Sequence, residues 1–202
     1  NDSLDSDINN MGITAFEFLE SGEHNPTYDA GYFMGSMLGN YVWEDLNANG
    51  IQETYEPVIE GVVVTLNGLN DLGHKIELIT ETDEEGFYLF PNLIPGKYTV
   101  TFTTPDGFII TQSRQGSNDS LDSNIDLFGV SEMETLISGE YNPTYDAGYY
   151  QFASIGNYIW EDTNADGIQN EGDTTGLQGI AVYLKGTNAT GADISLNTTT
   201  AE

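Results

Sequence analysis

Short runs in which apolar and polar residues alternate, separated by clusters of Gly, Asn, Asp and Pro, fill this chain, and that two-residue period marks half-buried strands. Gly61-Val62-Val63-Val64-Thr65-Leu66 is β-branched and short, and Asn70-Asp71-Leu72-Gly73 supplies turn residues ahead of the alternating run His74 to Thr82. This stretch predicts a hairpin. Asp83-Glu84-Glu85-Gly86 then turns the chain into a strand at Phe87-Tyr88-Leu89-Phe90, and Pro95-Gly96 turns it again into Lys97 to Phe102. Phe108 to Gln112 extends the pattern, Tyr145 to Tyr150 supplies a closing strand, and the Asn- and Asp-rich stretch from Ser113 to Asp126 reads as a loop. No segment sustains a helical period. The expected fold class is all-β, a sandwich of immunoglobulin-like size.

The pattern also repeats. Asn1-Asp2-Ser3-Leu4-Asp5-Ser6 returns as Asn118-Asp119-Ser120-Leu121-Asp122-Ser123, and Asn25-Pro26-Thr27-Tyr28-Asp29-Ala30-Gly31-Tyr32 returns as Asn142 to Tyr149, each copy 117 residues after the first. The same offset carries Gly39-Asn40-Tyr41-Val42-Trp43-Glu44-Asp45 onto Gly156-Asn157-Tyr158-Ile159-Trp160-Glu161-Asp162. A period this long is domain-sized, above the roughly 20 to 50 residues of solenoid repeats. Residues 1–34 match the C-terminal part of a preceding repeat, 35–150 make one whole unit, and 151–202 match the N-terminal part of a following one. Each flanking piece should need further sequence or a neighbouring chain to bury its apolar face, so the chain reads as an excerpt from a longer string of domains.

Charge narrows the partners. Lys and Arg number 4 against 33 Asp and Glu, a formal charge of −29, which excludes the usual electrostatic footprint for nucleic acid or anionic lipid. A hydrophobic content of 38% with 11% aromatics is too apolar for a disordered acidic tail, so a core can be buried. No apolar run approaches the roughly 20 residues that would insert in a membrane. Cysteine is absent, so disulfides contribute nothing and metal ions could serve as the cross-link instead.

Asp45-Leu46-Asn47-Ala48-Asn49-Gly50-Ile51-Gln52-Glu53-Thr54-Tyr55-Glu56 satisfies the calcium-loop pattern at every specified place. A hard cation takes six to eight oxygens. Side chains at alternate positions, Asp45, Asn47 and Asn49, can point inward; Gly50 allows the bend; the Ile51 carbonyl adds a backbone oxygen; Glu53 acts directly or through water; and Glu56 can close the shell with two oxygens. The second copy uses Asp162, Asn164, Asp166, Gly167, Ile168, Asn170 and Asp173, with the shorter Asp173 replaceable by Glu171. Asp, Asn and Gly also cluster in plain turns, but agreement with the pattern at equivalent places in two repeats favours calcium (Ca2+). Flanking residues such as Gly39 to Trp43 look like strand, so a helical EF-hand is not expected.

A further acidic cluster, Asp119, Asp122, Asn124 and Asp126, is echoed by Asp2, Asp5, Asp7 and Asn9, and Asp146 with its echo Asp29 could reach the same place from the closing strand. The expectation is a second ion or ion pair, against a plain solvated loop. Two carboxylates about 4 Å apart repel by roughly 4 kcal/mol at an effective dielectric near 20, against a total domain stability of about 5–15 kcal/mol. Metal-free loops should therefore loosen.

Gly39-Asn40-Tyr41-Val42-Trp43 with the Asp45 loop, Glu60-Gly61-Val62-Val63-Val64-Thr65-Leu66, Asp83 with Gly86-Phe87-Tyr88-Leu89-Phe90, and Leu93-Ile94-Pro95-Gly96-Lys97-Tyr98 together carry a resemblance. So do Asp5-Ser6-Asp7, Thr27-Tyr28-Asp29-Ala30-Gly31 and their echoes. The chain resembles the calcium-binding SdrD B-like domains of serine-aspartate repeat surface adhesins. The resemblance implies a Cna B-like β-sandwich in tandem repeats, a location outside the cell or on its surface, and the role of a calcium-stiffened stalk. Related Cna B domains can carry a Lys–Asn isopeptide bond; here Lys75 and Lys97 follow turn residues and Asn67 stands where the next copy has Lys185, so none is expected in the complete unit.

Other chemistry finds little support. The acids fall in metal-loop spacing rather than as an acid–base pair, so no enzyme is expected. His24 and His74 have no Cys or Ser nucleophile beside them and read as surface residues; Trp43 and Trp160 read as core beneath the loops. The first functional reading is a structural repeat whose partners are neighbouring repeats of the same or an adjacent chain. The alternatives are a module that itself grips a protein or glycan ligand, and a filament or surface-layer subunit completed by neighbouring chains.

Overall fold

The computed structural model of the chain describes residues 5–172, 175–188 and 191–201, and among these every regular element is a strand. The predicted hairpin forms as β3 (Val63–Asn70) antiparallel to β4 (Lys75–Glu81), with Val63 opposite Glu81 and Leu69 opposite Lys75. Asn70 makes the turn: its Oδ1 accepts from the N–H of Leu72 (3.1 Å) and of His74 (2.9 Å), and Gly73 takes the left-handed φ of 81°. β6 (Gly96–Phe102) pairs with the other edge of β3 and β8 (Glu134–Leu136) adds to β6, giving a four-stranded sheet in the order β4-β3-β6-β8.

Two small sheets oppose it. β10 (Ala147–Tyr150) lies between β2 (Val42–Glu44) and β7 (Ile109–Ile110), and β1 (Ser36–Leu38) lies between β5 (Phe90–Leu93) and β9 (Tyr141–Asn142). The β10–β2 and β9–β1 pairs are parallel, so late strands hold early ones and the unit closes on itself. Alternation then builds the core: Val64 and Leu66 of β3 and Tyr98, Val100 and Phe102 of β6 point inward against Leu38, Val42, Tyr88, Phe90, Ala147 and Tyr149. Tyr88 packs edge-on to Phe102 with ring centroids 5.3 Å apart. The result is the expected all-β sandwich.

Some elements differ from the pattern. The strand expected at Phe87–Phe90 begins only at Phe90, because Phe87 bridges Tyr41 and the Tyr88 N–H donates to Asn40 O at 2.9 Å. Gly39 permits this crossing, since a Cβ there would stand 2.2 Å from Tyr88 O. The stretch read as a loop, Ser113 to Asp126, is stitched down by the bridges Ser113–Ser123 and Ile51–Asp122. The short strands β1, β8 and β9 were not predicted.

The flanking copies keep the local geometry without the burial. β11 (Ala181–Thr187) and β12 (Asp193–Thr199) repeat the β3–β4 hairpin. Leu136 is fully buried on β8 whereas its echo Leu19 is 63% exposed, and Tyr149 on β10 is fully buried whereas Tyr32 is 82% exposed.

Candidate metal centre

Asp45 follows β2 directly, and its N–H donates to Tyr149 O on β10 at 2.7 Å, so the loop starts from the middle of the β2–β10 pair. The loop then winds around the Asp45 carboxylate, which accepts from the N–H of Asn49 (3.1 Å) and Gly50 (2.7 Å) and from the Thr111 hydroxyl (2.5 Å). Asn47 Oδ1 also accepts from Asn49 N–H and Asn49 Oδ1 from Ile51 N–H, at 3.0 and 2.7 Å, which turns the side-chain oxygens inward. Two left-handed residues make the winding fit: Ala48 with φ 56° and Gly50 with φ 79°. A Cβ at Gly50 would stand 2.3 Å from Gln112 O.

Glu56 closes the loop from below. Its Oε1 accepts from Leu46 N–H (2.9 Å) and its Oε2 from Glu53 N–H (3.0 Å), while Glu53 Oε1 accepts from the Asn49 side-chain amide at 2.7 Å. Ile51 is bridged to Asp122, Gln52 N–H donates to Leu121 O, and Ser123 N–H to Gly50 O, so the loop is laced to the second acidic stretch.

The second copy takes the same path. Asp162 accepts from Asp166 N–H (3.2 Å) and Gly167 N–H (2.8 Å), Ile168 N–H donates to Asp166 Oδ1 (2.7 Å), and Ala165 and Gly167 carry φ of 59° and 76°. Asn164 and Asn170 are joined through their amides, and Asn170 also donates to Asp166 Oδ2. Carboxylate oxygens of Asp162, Asp166 and Glu171 lie within 4.8 Å of one another. Asp173 lies outside the described residues.

The second acidic cluster is brought together in part. Asp146 on the closing strand, fully buried, accepts from the Asn40 amide (3.1 Å) and Tyr41 N–H (3.0 Å), while Asp146 N–H donates to Asn124 Oδ1 (3.1 Å) and the Asn124 amide to Asp119 Oδ1 (3.1 Å). Asp122 is buried beside them. Asp126 is placed differently: its carboxylate accepts from Phe128 and Val130 N–H and caps its own turn, as Asn9 does with Met11 and Ile13 in the leading copy. Asp7 and Asp29 keep the Asn124–Asp146 contacts, with Asp29 N–H donating to Asp7 Oδ2 at 2.7 Å; Asp5 is exposed, and Asp2 lies outside the described residues. Sequence reasoning passed over Thr111, which holds Asp45, and Asn40, which holds Asp146; the recurrence of Asn40 as Asn157 was the available signal for the second.

Chemistry tests the fit. Each loop leaves a buried carboxylate oxygen without a hydrogen-bond partner, Glu53 Oε2 in one and Glu171 Oε1 in the other, and Asp122 Oδ1 is a third. Buried acceptors are normally satisfied, and an all-oxygen donor set suits a hard cation. The residues fit calcium.

Electrostatics agree. Burial first, then the charges of Glu53 and Asp45, push Glu56 from 4.5 up to about 7 against the opposing Glu53 N–H. Burial likewise raises Asp122, with Asp119 adding to it, and raises Asp146, with Asp122 and Asp119 adding to it. The folded metal-free protein therefore holds the Glu56 proton where the unfolded chain has lost it, and the stability this confers is present at the acid end and lost as pH rises from 4.5 to about 7. A bound calcium ion would need the ionised form and would reverse that slope. Thermal unfolding across this window should show melting temperature falling with pH in metal-free buffer and level or rising in calcium; a metal-free profile that climbs throughout would contradict the assignment.

A family model described as the SdrD B-like domain matches residues 36–149 and again 153–202. The chain belongs to this family. It is 42% identical over 169 residues to serine-aspartate repeat-containing protein F of Staphylococcus epidermidis, covering 83% of this chain and 9% of that protein. Against serine-aspartate repeat-containing protein D of Staphylococcus aureus (strain MW2), 42% identity extends over 168 residues, 82% of this chain and 11% of that one. The chain thus spans about a tenth of the length of these relatives. Among solved structures, the minor pilin GBS52 of Streptococcus agalactiae aligns with 15% identity and a TM-score of 0.39 over 62% of this chain and 48% of that one.

As a member of this family, the segment carries its repeat and sits at the cell surface. No helix of the described residues is long and apolar enough to cross a membrane.

Proposed function

We propose that residues 35–150 constitute one complete SdrD B-like repeat, that calcium occupies the Asp45–Glu56 loop, the Asp162 loop and the Asp119, Asp122, Asn124 and Asp146 cluster, and that these ions stiffen an extracellular stalk or fibre. The observation that carries this is the twofold appearance of one loop path, left-handed at Ala48 and Gly50 and again at Ala165 and Gly167, with the same main-chain donors turned onto Asp45 and Asp162. Turn propensity gives no reason for a buried, partnerless carboxylate oxygen in both copies. An ion there would lock Asp45 to the closing strand just before the chain leaves the unit at Tyr150. Extracellular calcium modules bind at roughly 10⁻⁴ to 10⁻³ M, so ambient calcium suffices. The role needs no catalysis, and its partners are the neighbouring repeats.

Trp43 and Trp160 stand two positions before the loops, close enough to sensitise bound terbium. Excitation of tryptophan should give terbium emission that calcium competes away, and Asp45→Ala with Asp162→Ala should remove the share that comes from the two loops; emission unaffected by calcium or by both substitutions would sink the metal reading.

A second reading, a repeat that itself grips a ligand, is favoured by Leu127 and Phe128, 83% and 85% exposed at the tip of the Asp126 turn. If it holds, Phe128→Ser should weaken cell or matrix attachment without changing the melting temperature.

A further inference from the structure

Asn49–Gly50 combines a ligand position with the dipeptide most prone to spontaneous loss of side-chain ammonia. In that reaction the Gly50 nitrogen attacks Asn49 Cγ, the Cγ–Nδ2 bond breaks, and the Gly50 proton leaves with the departing nitrogen as ammonia. Water then opens the cyclic imide at either carbonyl. One opening gives Asp, the other isoaspartate with an extra methylene in the main chain.

The closed loop opposes each step. The attacking nitrogen is buried and its N–H is held by Asp45 Oδ2 at 2.7 Å. The Asn49 carboxamide is held at both ends, with Oδ1 on Ile51 N–H and Nδ2 on Glu53 Oε1, both at 2.7 Å, so it cannot rotate freely toward that nitrogen. The chain has a second Asn-Gly pair at Asn67–Gly68, but that one lies in the interior of β3, laddered to β4 on one side and β6 on the other. Freeing Asn67 requires the sheet to part, whereas freeing Asn49 requires only the loop to open, and local opening is far less costly than global unfolding.

We infer that Asn49 is a modification site, deamidated spontaneously whenever the Asp45 loop opens and protected while it is closed. The two products diverge in consequence. Asp at this position is what the second loop already carries as Asp166, and Asp166 Oδ1 accepts from Ile168 N–H just as Asn49 Oδ1 accepts from Ile51 N–H, at 2.7 Å in both. Isoaspartate displaces the Gly50 N–H from Asp45, and the loop cannot close. Ageing therefore sorts repeats into a more acidic, competent form and an opened one. The inference rests on the closed-loop geometry; its control by calcium rests on the reading above.

The test is peptide mapping by mass spectrometry on the full chain held in mildly alkaline buffer, with calcium, with EDTA, and in urea. Asn49 should convert faster than Asn67 in the folded protein, by roughly tenfold or more if loop opening is the gate, and at a similar rate to Asn67 in urea. Asp45→Asn should raise the Asn49 rate in calcium toward the EDTA value. Because that variant can unfold altogether, Asn67 reports on it: a rise at both sites marks global unfolding. Asn49→Asp, the product made directly, adds a carboxylate to the loop and should strengthen terbium emission, whereas weaker emission would show that this product is not a competent form. Equal rates at Asn49 and Asn67 in the folded wild type, or an Asn49 as inert in EDTA as in calcium while urea converts it, would overturn the inference. Asn49 outpacing Asn67 at the same rate in calcium and EDTA would uphold the site and remove calcium as its guard.

Discussion

Asp45→Ala should cost the calcium-loaded protein about 3–5 kcal/mol, the range for removing one member of a buried charged network, and cost the metal-free protein markedly less. Two opposing effects set the difference. The substitution leaves Gly50 N–H and the buried Thr111 hydroxyl without their acceptor in either condition. In calcium it also forfeits the ion, which at a hundredfold excess over Kd contributes about 2.7 kcal/mol. Without metal it removes a buried negative charge whose repulsion helps raise Glu56, and that relief offsets part of the loss. Urea denaturation with calcium and with EDTA measures both numbers. Equal losses in the two conditions would mean that Asp45 is only a turn cap.

Trp43→Ala should cost about 3–5 kcal/mol whatever the calcium level. The ring is fully buried and lies against Gly148 so closely that a Cβ there would stand 2.6 Å from Trp43 Cζ2. Its removal opens the largest void available beneath the loop, while the Leu19→Ala change at an exposed echo should stay within about 0.5 kcal/mol. Denaturation midpoints of the two variants compare directly. A loss below about 1 kcal/mol for Trp43→Ala, far under the usual range for large-to-small changes at buried sites, would contradict the burial of this ring.

The hairpin at β3–β4 and strand β6 were legible because alternation, β-branching and turn residues agree there, from Val63 to Phe102. β8 was not, because Glu134-Thr135-Leu136 offers one buried side chain and owes its strand form to pairing with β6, a partner distant in sequence. The path of the Asp45 loop was legible because its acidic and amide side chains recur at alternate positions within one short segment and Gly50 supplies the left-handed bend they need. In the second cluster, spacing treats Asp126 and Asp122 alike, yet one caps an exposed turn and the other is buried under the loop. Only tertiary contact separates them. Thr111 and Asn40 were missed for the same reason: each acts on a carboxylate 66 or 106 residues away.

Small-angle scattering of the chain in calcium and in EDTA tests most directly whether ions stiffen these repeats. Bound calcium should give a longer maximum dimension and a narrower distance distribution, with chelation shortening and broadening both reversibly. Superimposable profiles, at calcium levels where terbium competition has already shown the loops to be filled, would contradict the account.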